Sequence, residues 1–233
     1  CAWRHATRAN LTSVLYTPPM QSFAALLERL VLTPSRNAKL QLICDYLRHT
    51  ADPSRGWALA AITGDLDIPS VKPAAIRELV ASRVDPVLFT LSYDYVGDLA
   101  ETISLIWPQR PGANRAPDLN EIVETLLEST KSQGLKLVEG WLDALDSTGR
   151  WGLLKLITGG LRVGVSARLA RQAAADFGKV DVAEIEELWH GMSPPYLDLF
   201  AWLDGKGPKP VSGALAPFRP PMLAHPLLSK AER

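Results

Sequence analysis

The chain has 233 residues, of which 47% are hydrophobic and 21% charged, a composition that excludes an intrinsically disordered protein and is ordinary for a globular one. Its 25 basic and 25 acidic side chains cancel, so net charge gives no argument for a nucleic-acid partner. No apolar run reaches the roughly 18–20 residues that span a bilayer, and residues 1–10 lack the apolar centre of a signal peptide.

Two cysteines and four histidines give no sign of a disulfide framework or a metal site. Cys44 falls inside an apolar helical pattern, which favours a small core residue, and neither CxxC nor HExxH spacing occurs. A reducing, cytoplasmic location fits this use of cysteine. We therefore expect no metal and no cofactor in this chain.

Residues 1–19 differ from the rest of the chain because they show no clear period and end in two prolines. From Met20 onward, Phe23, Leu26, Leu27 and Leu30 recur at helical spacing. We interpret residues 1–19 as a leader that is non-native or disordered, with Met20 as the real start. A genuine flexible tail is the alternative.

Helical patterns fill residues 20–204, and strand-like alternation is absent. The local signals place helices after Ser35, over 57–62, from Pro73, from Asp85-Pro86 and over 99–107. Beyond a proline-rich loop at 108–117, we predict helices near 118–130, 135–146, 148–158, 165–177, 181–190 and 196–203. The predicted fold class is all-α, a single multi-helix domain of roughly a dozen helices. Residues 205–233, rich in Pro and Gly, are predicted to be an extended linker.

The basic residues are segregated along the chain. No acid lies between Asp146 and Asp176, a window that holds Arg150, Lys155, Arg162, Arg168 and Arg171. A second acid-free window between Glu28 and Asp45 holds Arg29, Arg36 and Lys39. Such segregation could build one basic face on a neutral molecule, but on charge alone chance clustering on solvated helix faces is the favoured interpretation.

The most unusual stretch is the glycine-rich segment between two predicted helices. One helix ends at Gly159-Gly160, Ser166 is a good N-cap for the next, and Arg162 lies between Gly160 and Gly164. Glycines let a backbone approach a partner closely, and an arginine beside helix N-terminal amides suits a phosphate oxygen. The residues alone favour an ordinary glycine C-cap with a surface arginine, and no GxxxxGK[ST] nucleotide loop is present.

Other candidates for chemistry are weaker. Asp94, Asp98 and Glu101 would share a face of one continuous helix, but Gly97 favours a break there and capping by Asp98. His190 is interpreted as a residue at a helix end, and no Ser/His/Asp or Cys/His arrangement stands out.

Four stretches resemble the N-terminal DNA-binding domain of ATP-dependent DNA ligases, in the bacterial branch of that family. They are residues 33–40, 91–102, 153–165 and 218–226, the last being similar to the junction between the DNA-binding and adenylation domains. The resemblance covers Met20 to Pro226 and leaves out the leader. It implies a helical domain that holds nicked duplex DNA through its backbone and minor groove.

The resemblance also implies adenylation and oligonucleotide-binding-fold domains in the full-length protein, with ATP and Mg²⁺ as its cofactors. In the family's chemistry, a lysine in a Lys-x-Asp-Gly motif takes AMP from ATP, AMP passes to the 5′-phosphate, and the 3′-hydroxyl attacks. No Lys-x-Asp-Gly occurs in this sequence. The stretch nearest to that motif, residues 202–205, has Trp202 in the place of the nucleophilic lysine. We therefore expect this chain alone to be inactive as a ligase.

By resemblance, the glycine turn becomes the best candidate for a DNA-backbone contact, without base preference. The predicted DNA-binding residues are Arg162 and Lys39 first, with Gly160 and Gly164 for close approach, and Arg36, Lys155, Ser166 and Arg168 after them. We expect a monomer with no membrane contact. The competing hypotheses are a helical scaffold for protein–protein interaction and, more weakly, a free-standing helical hydrolase.

Overall fold

A computed structural model of the protein describes residues 19–108, 115–159 and 161–211. Within these ranges the chain forms twelve α-helices and no strand, which confirms the all-α prediction. The helices are α1 (Pro19–Leu32), α2 (Arg36–His49), α3 (Ser54–Thr63), α4 (Pro73–Arg83), α5 (Pro86–Val96), α6 (Leu99–Ile106), α7 (Leu119–Glu128), α8 (Lys131–Ala144), α9 (Ser147–Thr158), α10 (Ala167–Gly178), α11 (Val182–Trp189) and α12 (Leu197–Leu203). The leader up to residue 18, and the linker beyond residue 211 with its junction at 218–226, lie outside the described residues.

Short-range capping sets most helix ends where the sequence predicts them. The Ser35 side chain accepts from the Ala38 amide at the start of α2, and Gly64 ends α3 in the left-handed conformation. The Asp98 carboxylate caps α6, as expected, so Asp94, Asp98 and Glu101 do not share one continuous helix. The predicted start of α8, at residue 135, was wrong by four residues, because the helix begins at Lys131.

Helices α1 and α9 pack face to face at the centre of the domain. Met20, Phe23 and Leu27 of α1 are fully buried, and Gly152 of α9 lies so close to Ala24 that a Cβ there would be 2.6 Å from the alanine methyl. Helix α6 packs on α9, and α10 packs on α2, α3, α11 and α12. The core is thus continuous through the described helices.

Polar contacts hold the last two helices against α3. One oxygen of the Asp65 carboxylate, Oδ2, accepts from the Thr63 hydroxyl, the Trp189 indole and the Tyr196 hydroxyl at 2.7, 3.0 and 2.8 Å. Burial, and then the hydrogen bond to Asp65, raise the pKa of Tyr196. Arg55 donates to both Asp52 and Asp204, so the end of α12 is fixed on the start of α3.

None of the described helices has the length and apolar character needed to cross a membrane.

Candidate nucleic-acid interface

A tight turn joins α9 to α10 in the segment that the sequence singled out. Gly159 ends α9 with φ +67°, and the Ser166 hydroxyl caps α10 by accepting from the Leu169 amide at 3.2 Å. Gly164 lies between them with φ +67°, a backbone conformation that favours glycine. Gly160, which we also predicted to approach DNA, lies outside the described residues.

Arg162 adopts an uncommon backbone conformation at the tip of this turn. Its φ of +38° lies in the left-handed region, which costs a non-glycine residue free energy and persists only where the surrounding structure imposes it. Its side chain is exposed, and no acceptor or carboxylate among the described residues is paired with the guanidinium. We expected unusual backbone conformations only at the glycines, and the positive φ of Arg162 itself was not predicted.

Lys39 holds the turn from the buried side. The side chain reaches from α2 into the core, where the residue is 8% exposed, and Nζ donates to the carbonyls of Val163 at 3.1 Å and Gly164 at 2.9 Å. A Cβ on Gly164 would lie 2.5 Å from this Nζ, so glycine is required there for space as well as for φ. The Lys39 ammonium is thus engaged by carbonyls of the turn itself. The contact with a phosphate that we predicted for Lys39 stays a prediction.

Helices α2 and α10 present their N-termini at the same end of the molecule. The two helices run in the same direction, because residues near both N-termini are in contact and so are residues further along both. Lys39 of α2 donates to Gly164, just before α10, and Cys44 Sγ donates to the Ala173 carbonyl at 3.1 Å. Neither helix carries an acid in its first turn. Their free amides and dipoles therefore form a weakly positive surface beside the turn.

Two further predicted arginines lie at these N-termini. Arg36 is the first residue of α2 and Arg168 the second of α10, and both are exposed. Arg168 Nε is 3.8 Å from the Glu186 carboxylate, a long and solvated ion pair that leaves the guanidinium accessible. Arg36, Arg162 and Arg168 with the two helix N-termini thus form one surface, hereafter the turn surface.

Lys155 is separate from this surface. It is 9% exposed in the middle of α9, and Nζ donates to Asp98 Oδ2 at 2.6 Å. Burial raises the pKa of Asp98, but hydrogen bonds from Lys155 and the Glu101 amide outweigh burial and lower it. The Lys155 charge therefore stabilises the packing of α9 on α6, and its contact with DNA stays a prediction.

Two other arginines of the same acid-free window are also engaged internally. Arg150 is 4% exposed and donates to the carbonyls of Leu142 at 2.6 Å and Trp107 at 3.3 Å. The Arg171 guanidinium is half-buried, 5.4 Å from the centre of the Trp189 ring. The window therefore does not form one continuous basic face, because only Arg162 and Arg168 of its five bases are exposed.

Within the described ranges, no group of three or more His, Cys, Asp or Glu side chains is placed to hold a metal ion. Trp202, the first residue of the stretch nearest to Lys-x-Asp-Gly in this sequence, belongs to α12, and the Lys209 ammonium lies 5.5 Å from the centre of its ring.

The fold and the turn surface define an all-helical domain with exposed arginines gathered at two helix N-termini. The family of the DNA ligase N terminus matches residues 19–175, from the start of α1 to near the end of α10. The chain belongs to this family, the N-terminal domain of ATP-dependent DNA ligases. No characterised protein matched the chain in a direct comparison of sequences. The whole turn surface falls within the matched residues, whereas α11 and α12 follow them.

Proposed function

We propose that this chain binds duplex DNA at a nick, holding the sugar–phosphate backbone on the turn surface so that the strands can be sealed. The observation that carries the proposal is Arg162, an exposed arginine held at φ +38° with no described partner, in a domain of the DNA ligase family. Strained residues persist where the surroundings impose them, and such positions cluster at functional sites.

The chemistry of the turn surface suits phosphate rather than bases. Arginine forms two parallel hydrogen bonds to a phosphate, and the N-terminal amides of α2 and α10 favour an anion beside it. Contacts of this kind position a protein on a duplex without reading its sequence. An enzyme that seals any nick needs such binding.

The wider role follows from the family and is part of the proposal. The domain would grip the minor groove of nicked DNA as a monomer, while adenylation and oligonucleotide-binding-fold domains of the full-length protein supply the reaction with ATP and Mg²⁺. Repair, recombination and replication all generate nicks that such a protein would seal. A cytoplasmic bacterial protein associated with the nucleoid fits this role.

The test is the affinity for nicked and intact duplexes of unrelated sequence, measured by fluorescence anisotropy over a range of salt. Each neutralised phosphate contributes about −0.9 to the slope of log K against log salt. Replacing Arg162 by Ala should weaken binding to every duplex and reduce that slope by about one. The matched control is Lys136→Ala, which removes an exposed positive charge on α8, away from the turn surface.

Unchanged affinity and slope in a folded Arg162→Ala protein would show that the turn is only a helix cap. If the parent chain binds no duplex at all, the competing hypothesis of a helical protein–protein scaffold would be favoured. The acidic control Glu184→Ala, on α11, should change neither result.

A further inference from the structure

A groove lies on the domain between the C-terminal end of α1 and helix α6, with the first turns of α9 as its floor. Its volume is about 320 Å³, near the lower end of the range for binding pockets. The floor is formed by Ser147, Thr148 and Trp151. This groove has no part in the turn surface.

The two walls of the groove are alike in helical spacing, and each carries one glutamate and one leucine. Helix α1 contributes Glu28, Val31 and Leu32, and α6 contributes Glu101, Ser104 and Leu105, each set at positions i, i+3 and i+4. The α1 wall therefore presents one carboxylate beside two apolar side chains, and the α6 wall presents one carboxylate beside a serine and one leucine.

The apolar side chains of the groove are unusually exposed. Val31, Leu32 and Leu105 are 53%, 75% and 67% exposed, although each faces a concave site with Trp151 at its floor. Contiguous apolar surface rimmed by polar groups is typical of a binding site, whereas isolated exposed apolar residues are common and need no explanation.

The charges at the groove select the partner. The Glu28 and Glu101 carboxylates, one on each wall, are exposed, and neither forms an ion pair or hydrogen bond with another described side chain. No cation is among the residues that line the groove. An occupant with basic side chains on both sides of an apolar one would pair with both carboxylates, and an acidic or neutral occupant would not.

We propose that this groove is a docking site for a short peptide segment of a partner protein, in which large apolar side chains are flanked by Lys or Arg. The apolar side chains lie between Val31, Leu105 and the Trp151 ring, and the flanking cations pair with Glu28 and Glu101. This inference does not depend on DNA binding at the turn surface.

The probe is a fluorescein-labelled synthetic peptide, Gly-Lys-Arg-Leu-Trp-Leu-Arg-Lys-Gly, titrated with the full chain and followed by anisotropy. Two matched peptides separate the contributions, one with Glu at the four basic positions and one with Ser at the three apolar positions. Only the basic and apolar peptide should bind, and each matched peptide should bind at least about tenfold more weakly.

The charge swap on the protein makes the test specific. The double variant Glu28→Lys/Glu101→Lys should lose the basic peptide and gain the acidic one. The control Glu78→Lys, an exposed residue of α4 outside the groove, should behave as the parent chain. Leu105→Ser should weaken binding of the basic peptide without changing the fold, which circular dichroism checks.

Equal binding of all three peptides, or an unaltered preference in the charge-swapped protein, would overturn the proposal. It would also be overturned if the peptide bound only after removal of residues 1–18, since this chain's own N-terminal segment would then be the occupant. DNA affinity, measured in parallel with Arg162→Ala, reports separately on the turn surface.

Discussion

Replacing Lys39 by Met tests how the turn is held. Methionine keeps a flexible side chain but removes the ammonium, and with it the hydrogen bonds of 3.1 and 2.9 Å to Val163 and Gly164. The Val163 carbonyl is left without this donor in a buried place, which costs about 1–3 kcal/mol. The variant no longer has to desolvate a buried ammonium, and this saving in free energy offsets part of that cost. We therefore expect the free energy of unfolding to fall by about 1–2 kcal/mol, which leaves the fold intact.

The assay separates loss of stability from loss of positioning. Denaturant unfolding gives the change in free energy, and hydrogen exchange of the amides in residues 163–166 reports on the order of the turn. Exchange should accelerate in the turn of Lys39→Met and stay unaltered in α7, which packs on α1 and α3. DNA affinity should fall because Arg162 is no longer held in place, even where the protein is fully folded.

A double-mutant cycle decides between positioning and direct contact. If Lys39 acts through Arg162, the affinity losses of Lys39→Met and Arg162→Ala should not add, since the second change finds the contact already lost. Additive losses, each with a salt slope reduced by about one, would instead mean that Lys39 itself touches a phosphate. That result would refute the positioning role.

Three further predictions concern the stability of the domain. Gly56→Ala should destabilise by about 3 kcal/mol or more in thermal or denaturant unfolding, because a Cβ there would be 1.7 Å from the Pro195 carbonyl oxygen; an unchanged midpoint would show that α12 is not held on α3. The hydrogen bond from Arg55 lowers the pKa of Asp204. The ionised Asp204 carboxylate therefore contributes fully to the free energy of unfolding above the unfolded pKa of about 3.9, and this contribution is lost as pH falls through the folded pKa. Unfolding free energies measured from pH 7 to pH 2.5 should fall less steeply at the acid end in Asp204→Asn than in the parent chain. Deleting residues 1–19 should change the unfolding free energy by less than about 1 kcal/mol, and a larger loss would show that the leader packs on the core.

The helices and their ends could be predicted because short-range chemistry determines them. The Ser166 cap of α10 and the Gly159 end of α9 each depend on residues within one helical turn. Helix α8 shows the limit of using apolar period alone. Its apolar pattern starts at Leu135, but Thr130 and Gln133 form a capping box that starts the helix earlier.

The roles of the basic residues could not be predicted in the same way, because they depend on partners far away in sequence. Lys39 bonds to a carbonyl 124 residues further along the chain, and Lys155 to a carboxylate 57 residues before it. A charged side chain in an acid-free window looks the same whether it faces solvent or caps a buried carbonyl. The resemblance to ligases pointed to the turn, but it did not distinguish Arg162, which is exposed, from Lys39, which lies beneath it.

This division of the cations explains how a chain of zero net charge can expose a local cluster of arginines. Buried cations such as Arg55 and Arg150 cost desolvation free energy, which carboxylates or carbonyls compensate inside the domain. Each internal ion pair removes equal positive and negative charge from the surface, so the sum over the sequence carries no information about what is left outside. What remains at the turn is decided by which arginines lack an internal acceptor. Arg162 lacks one among the described residues, and the Val163 and Gly164 carbonyls of the same turn are engaged by Lys39. If the turn surface binds DNA as proposed, the local field at two helix N-termini, rather than net charge, is the quantity that would govern binding to a phosphate there.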